Sequence, residues 1–372
     1  MVRAFVLHAL ALPLRRVDWL LLPLLAALAG LGLVALHSAA EDVRLVERQE
    51  AYLLLGLGLA VAAACISWRW WRLLAAPFYL LCLLLLALVP WLGIEANNAR
   101  RWLDLGFVTL QPSELAKVAV PLALAAFYGL WPQRRRYWQH GVALLLALLP
   151  AMMILDQPDL GTAVMVLLAG VLMIFFAGLP WLFMLSGAAL AALAAPLMWS
   201  FVLADYQKQR ILAVIDPHSD PLGAGYHTIQ SSIAVGSGGY WGKGWNQGSQ
   251  AQLGFLPEHH TDFIFAVYAE EFGFAGCLAL LGVFMLIFIR MATLAGKARD
   301  GAAGCLVAAF ASVFALQALV NLAMVSGVLP VVGLPLPLVS YGGTSLLAFA
   351  LSFGIAMAAA RHRPPRRLGF GG

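Results

Sequence analysis

Charge is what this chain lacks. Only 11% of its 372 residues are Asp, Glu, Lys or Arg, where a soluble domain carries about a quarter. That scarcity excludes an ordinary soluble fold, and 62% hydrophobic residues with a mean hydropathy of +0.87 take its place. Cysteine is sparse too. Cys65, Cys82, Cys277 and Cys305 all fall inside apolar runs, where they read as small buried hydrophobes rather than a disulfide framework. No four convergent zinc ligands stand out, and the adjacent His259 and His260 diverge, so no metal ligand set is assigned. No cleavable leader is expected, because the first apolar run follows an Arg-bearing start (VRAFVLHALALPLRR) without an A-x-A site. That start suits a segment lying along a membrane interface. Internal repeats and the spacings of Walker or Rossmann glycine loops are absent.

What is there is a series of apolar runs, near 18–37, 51–66, 72–92, 112–130, 140–155, 161–179, 181–203, 263–289, 301–327 and 340–360. Each approaches the ~20 residues that a bilayer needs. The expected fold is an all-α polytopic membrane protein of about ten helices, a single membrane domain over 1–372. Both termini then lie on one side. Basic residues set the orientation. Arg3, Arg15, Arg16, Arg69, Arg72, the RRR run at 134–136, Arg290, Lys297, Arg299 and the tail arginines share a side, which the positive-inside rule makes cytoplasmic. The +5 net charge is therefore a topology signal, and a nucleic-acid partner is not expected.

The opposite loops hold nearly all the carboxylates. They are the charged stretch 38–50, the polar and aromatic stretch 93–111, the short DQPDL at 156–160, the long loop 204–261 and the Pro-rich 328–339. Loops beyond roughly a dozen residues are usually functional or disordered. Loop 204–261 is too rich in Trp, Tyr, Phe, Ile and Leu for disorder. Within it, Tyr206 to Ile215 suits an interfacial helix stopped by Pro217, and GSGGYWGKGWNQG offers backbone that can approach a ligand closely.

Ionisable groups in membrane spans are functional candidates by default. Glu114 and Lys117 open the fourth span three residues apart, on one helix face. They read either as a structural ion pair or as a lysine facing a phosphate with Glu114 orienting it. Asp156 and Asp159 flank a proline. Capping of the next helix suits one of them, and a ligand contact stays open for Asp159. Asp262 sits where the long loop meets the eighth span, as an N-cap or as a carboxylate whose lipid-side setting suits a general base. Arg48, Arg101, Lys208, Arg210 and Lys243 are the other cations of this side, and arginine's planar fork is the natural clamp for a diphosphate. Gln317 and Asn321, one turn apart, read as interhelical braces.

Taken together, RRWLDLGFVTLQPSELAK, DQPDLGT, the YQKQRILAVIDPHSDPLGAGYHTIQSSIAVGSGGYWGKG block, LPEHHTDFIFAVYAEEFG and NLAMVSGVLPVVGLPLPLVSYGGTS resemble the SEDS family of bacterial cell-wall glycosyltransferases. The likeness runs in order from about Arg100 to the last span and is most like the elongation-type members, rather than the division-type ones. It implies polymerisation of lipid II into peptidoglycan glycan strands at the outer face of the bacterial cytoplasmic membrane. A class B penicillin-binding protein and the elongation machinery are the implied partners. The family's catalytic aspartate falls on Asp262. Its other functional positions fall on Arg48, Arg101, Glu114, Lys117, Asp159, Gln207 and Arg210, with Arg48 in the weaker-matching part of the chain. Whether a divalent cation (Mg or Mn) assists is left open. Two other readings keep the same membrane topology: a lipid II flippase, and a non-catalytic scaffold for the penicillin-binding protein.

Overall fold

The computed structural model describes residues 17–40, 42–96, 99–104, 106, 109–131, 136–201, 203–217, 223, 225–249 and 260–361. The N-terminal interfacial start, Arg134, Arg135, His259 and the tail arginines after Arg361 lie outside the described residues. Among the described residues, ten long helices correspond to the ten apolar runs. They are α1 (Leu21–Ala39), α2 (Val43–Cys65), α3 (Trp68–Leu92), α4 (Pro112–Tyr128), α5 (Tyr137–Leu155), α6 (Leu160–Phe176), α7 (Trp181–Phe201), α10 (Ile264–Lys297), α11 (Gly301–Val325) and α12 (Gly343–Ala360). Among the described residues of the long loop are two shorter helices, α8 (Asp205–Ile215) and α9 (Tyr226–Ser237). Seven of the long helices, all except α2, α4 and α6, are long and apolar enough to cross a membrane. The chain is an all-α polytopic membrane protein.

Two stretches expected to be loops are structured. Asp42 caps α2 by accepting from the Arg44 N–H, and the charged run after it is helical, so Arg48 sits on a helix rather than in a loop. Charged residues are good helix formers, and this turn of α2 carries them beyond the apolar run. Within the second stretch, 93–111, β1 (Gly93–Ala96), β2 (Ala99–Asp104) and β3 (Thr109–Leu110) form a small antiparallel sheet in that order. Gly93 pairs with Leu103 and Leu103 with Leu110.

Small residues let the central helices approach. A Cβ on Gly354 of α12 would lie 2.5 Å from the Ala60 carbonyl oxygen of α2, and one on Gly170 of α6 would lie 2.3 Å from the Ala147 Cβ of α5. Such contacts replace the hydrophobic drive that helices lack in lipid. α12 is buried along almost its whole length, whereas α7 buries no residue. The apolar surface of α7 is what a lipid-facing helix presents.

At the basic end, Asp18 is fully buried and joins three elements. It accepts from Arg290 Nε at 3.0 Å and Nη2 at 2.6 Å, from Arg361 Nη2 at 3.1 Å, and from the Leu21 N–H at 2.9 Å. Burial alone would raise the Asp18 carboxyl. Hydrogen bonds from Arg290 and Leu21, the Arg290 charge and the Arg361 hydrogen bond outweigh it and hold its pKa below the usual carboxylate value. The candidate carboxylates Asp159 and Asp262 stand at the starts of α6 and α10, and Asp18 meets α10 more than 20 residues further along, at Arg290.

Candidate active site

The Pro-rich segment between α11 and α12, VLPVVGLPLPLVSYG over 328–342, forms neither helix nor strand from 330 to 336. Prolines remove ladder donors, so its backbone groups need partners elsewhere. They find them on four surrounding elements. The Val331 carbonyl accepts from Arg210 Nη1 at 3.0 Å, Leu334 from Asn321 Nδ2 at 2.8 Å, Pro335 from Gln317 Nε2 at 2.9 Å, and Ser340 from Gln49 Nε2 at 3.1 Å. The Tyr341 N–H donates to the His260 carbonyl at 3.0 Å. A sequence reading sees three prolines here; the structure makes them the hub on which the candidate residues converge.

Asp262 lies half-buried in the turn before α10. The helix's cap position is Phe263, one residue later than the N-cap alternative of the sequence, and the Phe263 side chain makes no cap hydrogen bond. The Asp262 carbonyl accepts from Asn321 Nδ2 at 2.9 Å. Its carboxylate faces Gly333, where a Cβ would lie 3.6 Å from Oδ2 and where φ is +72°. Behind it the His227 ring of α9 stacks on Phe263, with centroids 5.6 Å apart.

Beneath this turn, Lys117 and Glu114 pair at 2.8 Å with their side chains 4% and 3% exposed. Lys117 Nζ also donates to Gln317 Oε1 at 2.7 Å and lies 5.4 Å from the Phe349 ring centroid. Glu114 Oε2 has no hydrogen-bond partner among the described residues. The geometry is that of a brace beneath the site.

Asp159 caps α6 through the Thr162 N–H at 3.2 Å, as its helix-end position implied, and its other oxygen accepts from Gln111 Nε2 at 3.3 Å. Arg101 of β2 donates to the carbonyls of Gln157 at 3.2 Å and Pro158 at 2.5 Å, holding the strap that carries Asp159. That strap abuts the hub, since a Cβ on Gly161 would lie 2.6 Å from the Val332 carbonyl oxygen. Asp156 is exposed.

Gln207 accepts from the Ala204 N–H at 3.1 Å and closes the first turn of α8, three residues before Arg210. Arg48 is exposed, one turn before Tyr52, whose ring lies under Gly343. Its neighbour Gln49, buried and not singled out from the sequence, is the residue that meets the hub. Lys208 pairs with Asp205 at 3.5 Å. Among the described residues, no three His, Cys, Asp or Glu side chains converge to hold a metal ion.

Lys243, Gly238 and Gly242 pack against another part of the chain. α10 breaks at Gly273, with φ +62° and ψ −163°, a conformation open only to glycine. Into that break packs the 238–249 loop, so that a Cβ on Gly242 would lie 2.1 Å from the Glu271 carbonyl oxygen. Lys243 pairs with buried Glu270 at 2.5 Å, Ser38 of α1 donates to Glu271, and Trp245 donates to the Val34 carbonyl at 3.1 Å. Glu270 and Glu271 stood in the sequence as an acidic pair inside an apolar run, which was the available signal for this clasp.

The sequence matches the FTSW_RODA_SPOVE family, described as cell cycle protein, over residues 18–364. It is 45% identical to the peptidoglycan glycosyltransferase MrdB of Escherichia coli K12, across 92% of this chain and 93% of that one. Its structure is similar to a chain of a peptidoglycan synthase complex that coordinates polymerization and crosslinking, with a TM-score of 0.80, 41% identity and 92% and 97% of the two chains covered. It is also similar to the rod shape determining protein RodA of Thermus thermophilus, with a TM-score of 0.71, 36% identity and 92% and 96% covered. With motifs, fold and nearly the whole length in agreement, the chain belongs to the FtsW/RodA/SpoVE family.

Proposed function

We propose that this chain is a peptidoglycan glycosyltransferase that polymerises lipid II into β-1,4 glycan strands for cell elongation. One observation carries the reading: a half-buried carboxylate, Asp262, is seated against the glycine of a segment on which Arg210 and the Asp159 strap also converge. The likeness to MrdB and to a rod shape determining protein supports the elongation role over a division role.

Lipid II carries an α-linked diphosphate, and the product is β-linked, so inversion in one step needs a base and leaving-group stabilisation. Asp262 takes the proton from the acceptor 4-hydroxyl as that oxygen attacks the donor's anomeric carbon. The bond to the diphosphate breaks, and the undecaprenyl diphosphate leaves with its added negative charge. Cations preorganised where that charge develops lower the barrier. Arg210 and Arg48 are the cations assigned that role, Arg210 reaching the hub at Val331. Arg101, Asp159, Glu114, Lys117 and Gln207 support the framework. Whether a divalent cation, Mg or Mn, assists at the same diphosphate is read from the EDTA arm of the test below.

In this reading the site faces the extracytoplasmic side, as the basic end of the bundle implies, and both termini are cytoplasmic. A class B penicillin-binding protein is the proposed partner, supported by the likeness to a synthase complex of polymerization and crosslinking. The test is glycan synthesis by purified protein given lipid II in detergent, with and without the partner and with EDTA. Product would separate a polymerase from a flippase, since nothing needs flipping in detergent, and product without the partner's own polymerase activity would separate it from a scaffold.

A further inference from the structure

Gln317, Asn321 and Met324 stand at i, i+4 and i+7 of α11, on one face. They meet the hub segment in reverse order. Gln317 Nε2 donates to the Pro335 carbonyl at 2.9 Å, Asn321 Nδ2 to Leu334 at 2.8 Å, and the Val332 N–H donates to Met324 Sδ at 3.3 Å. The one residue this ladder skips is Gly333, and it is Gly333 that the Asp262 carboxylate faces. The same Asn321 nitrogen donates to Asp262's own carbonyl at 2.9 Å. Both amides are 0% exposed. Lys117 anchors the foot of the ladder through Gln317 Oε1.

We propose that this ladder is a positioning device for Asp262, with Asn321 its central positioning residue. The inference rests on the glycosyltransferase reading of the site. Asn321 grips the base's own peptide and the segment opposite it at once, so the distance from carboxylate to Gly333 is set by one rigid amide on a buried helix. Gln317 holds the next residue, and the buried Lys117–Glu114 pair fixes Gln317 in turn. A general base works only within hydrogen-bond reach of its proton, and a misplacement of about 1 Å can cost about 10²-fold in rate. This assigns the two amides a part in the reaction that bracing helices alone does not require. It also explains why the lysine and glutamate sit deep beneath the site.

The test compares wild type, Asn321→Leu and Gly333→Ala as purified full-length protein given fluorescent lipid II. Asn321→Leu removes both donations. Gly333→Ala disturbs the same contact from the other side, since alanine is strained at that positive φ. Melting curves read with a thiol-reactive dye on the native cysteines report folding separately. The expected result is a fall of about tenfold or more in the saturating rate per folded molecule for both variants, with KM close to wild type and any drop in the melting transition too small to account for the loss. A smaller fall, a loss carried by KM, or a loss matching a reduced folded fraction would overturn the proposal. No glycan from wild type would overturn the glycosyltransferase reading and this inference with it, whereas an active wild type with unimpaired variants defeats this inference alone.

Discussion

Lys117 and Glu114 form a 2.8 Å ion pair inside the membrane bundle, with both side chains almost wholly shielded. Breaking a buried pair by removing one partner costs about 3–5 kcal/mol, because the other charge is left unmatched. Lys117→Met and Glu114→Gln should each lower the melting transition, and Lys117→Met should lower it more, since it also strips Gln317 of its partner. The double variant should recover much of the loss. A double variant as unstable as the sum of the singles would contradict the brace.

Asp18 gives a pH dependence of known sign. Its pKa is depressed in the fold by the Arg290 and Arg361 contacts, which outweigh burial. Its stabilisation is therefore present above the unfolded value of about 3.9 and lost as pH falls through the lower folded value. Melting curves of wild type and Asp18→Asn should differ by a constant amount above about pH 5 and converge below about pH 4. Glycan synthesis per folded molecule should be unchanged, because Asp18 lies at the end of the bundle opposite Asp262.

Gly273 tolerates no side chain. A Cβ there would lie 2.2 Å from the Gly242 nitrogen and 2.8 Å from the Trp241 carbonyl carbon, both backbone. Gly273→Ala should release the 238–249 loop from α10 or prevent folding. Limited proteolysis should then cut near Trp241, and survival of the loop's resistance would count against the clasp.

Arg210 donates to the Val331 carbonyl from an exposed helix, and hydrogen bonds to charged groups are worth about 1.5–3 kcal/mol. Arg210→Ala should weaken binding of an undecaprenyl diphosphate probe by on the order of tenfold, while the melting transition moves little. An unchanged affinity would remove Arg210 from the diphosphate site.

The helices were legible because apolar runs of membrane length have few other uses, and all ten fall where the runs do. Their ends were less so. Asp42 extends α2 through VRLVERQE because capping and helix-forming charges continue what the apolar pattern does not mark. The sheet at 93–111 escaped notice because strands of four, six and two residues depend on partners that hydropathy does not report. In the site, residue types pointed to carboxylates and cations one by one. Gln317 and Asn321 were visible as amides one turn apart, but their partners are carbonyls of a Pro-rich segment, and spacing says nothing about who accepts a hydrogen bond. The freedom of the glycines of 238–249 was plain, but spacing did not show that Gly238 and Gly242 lie against the backbone of α10.

The central claim is that Asp262 carries the polymerisation chemistry, and its most direct test is fluorescent lipid II given to purified wild type and Asp262→Ala under identical conditions. The account predicts long glycan from wild type and none from a well-folded variant. Normal glycan synthesis by Asp262→Ala would contradict it.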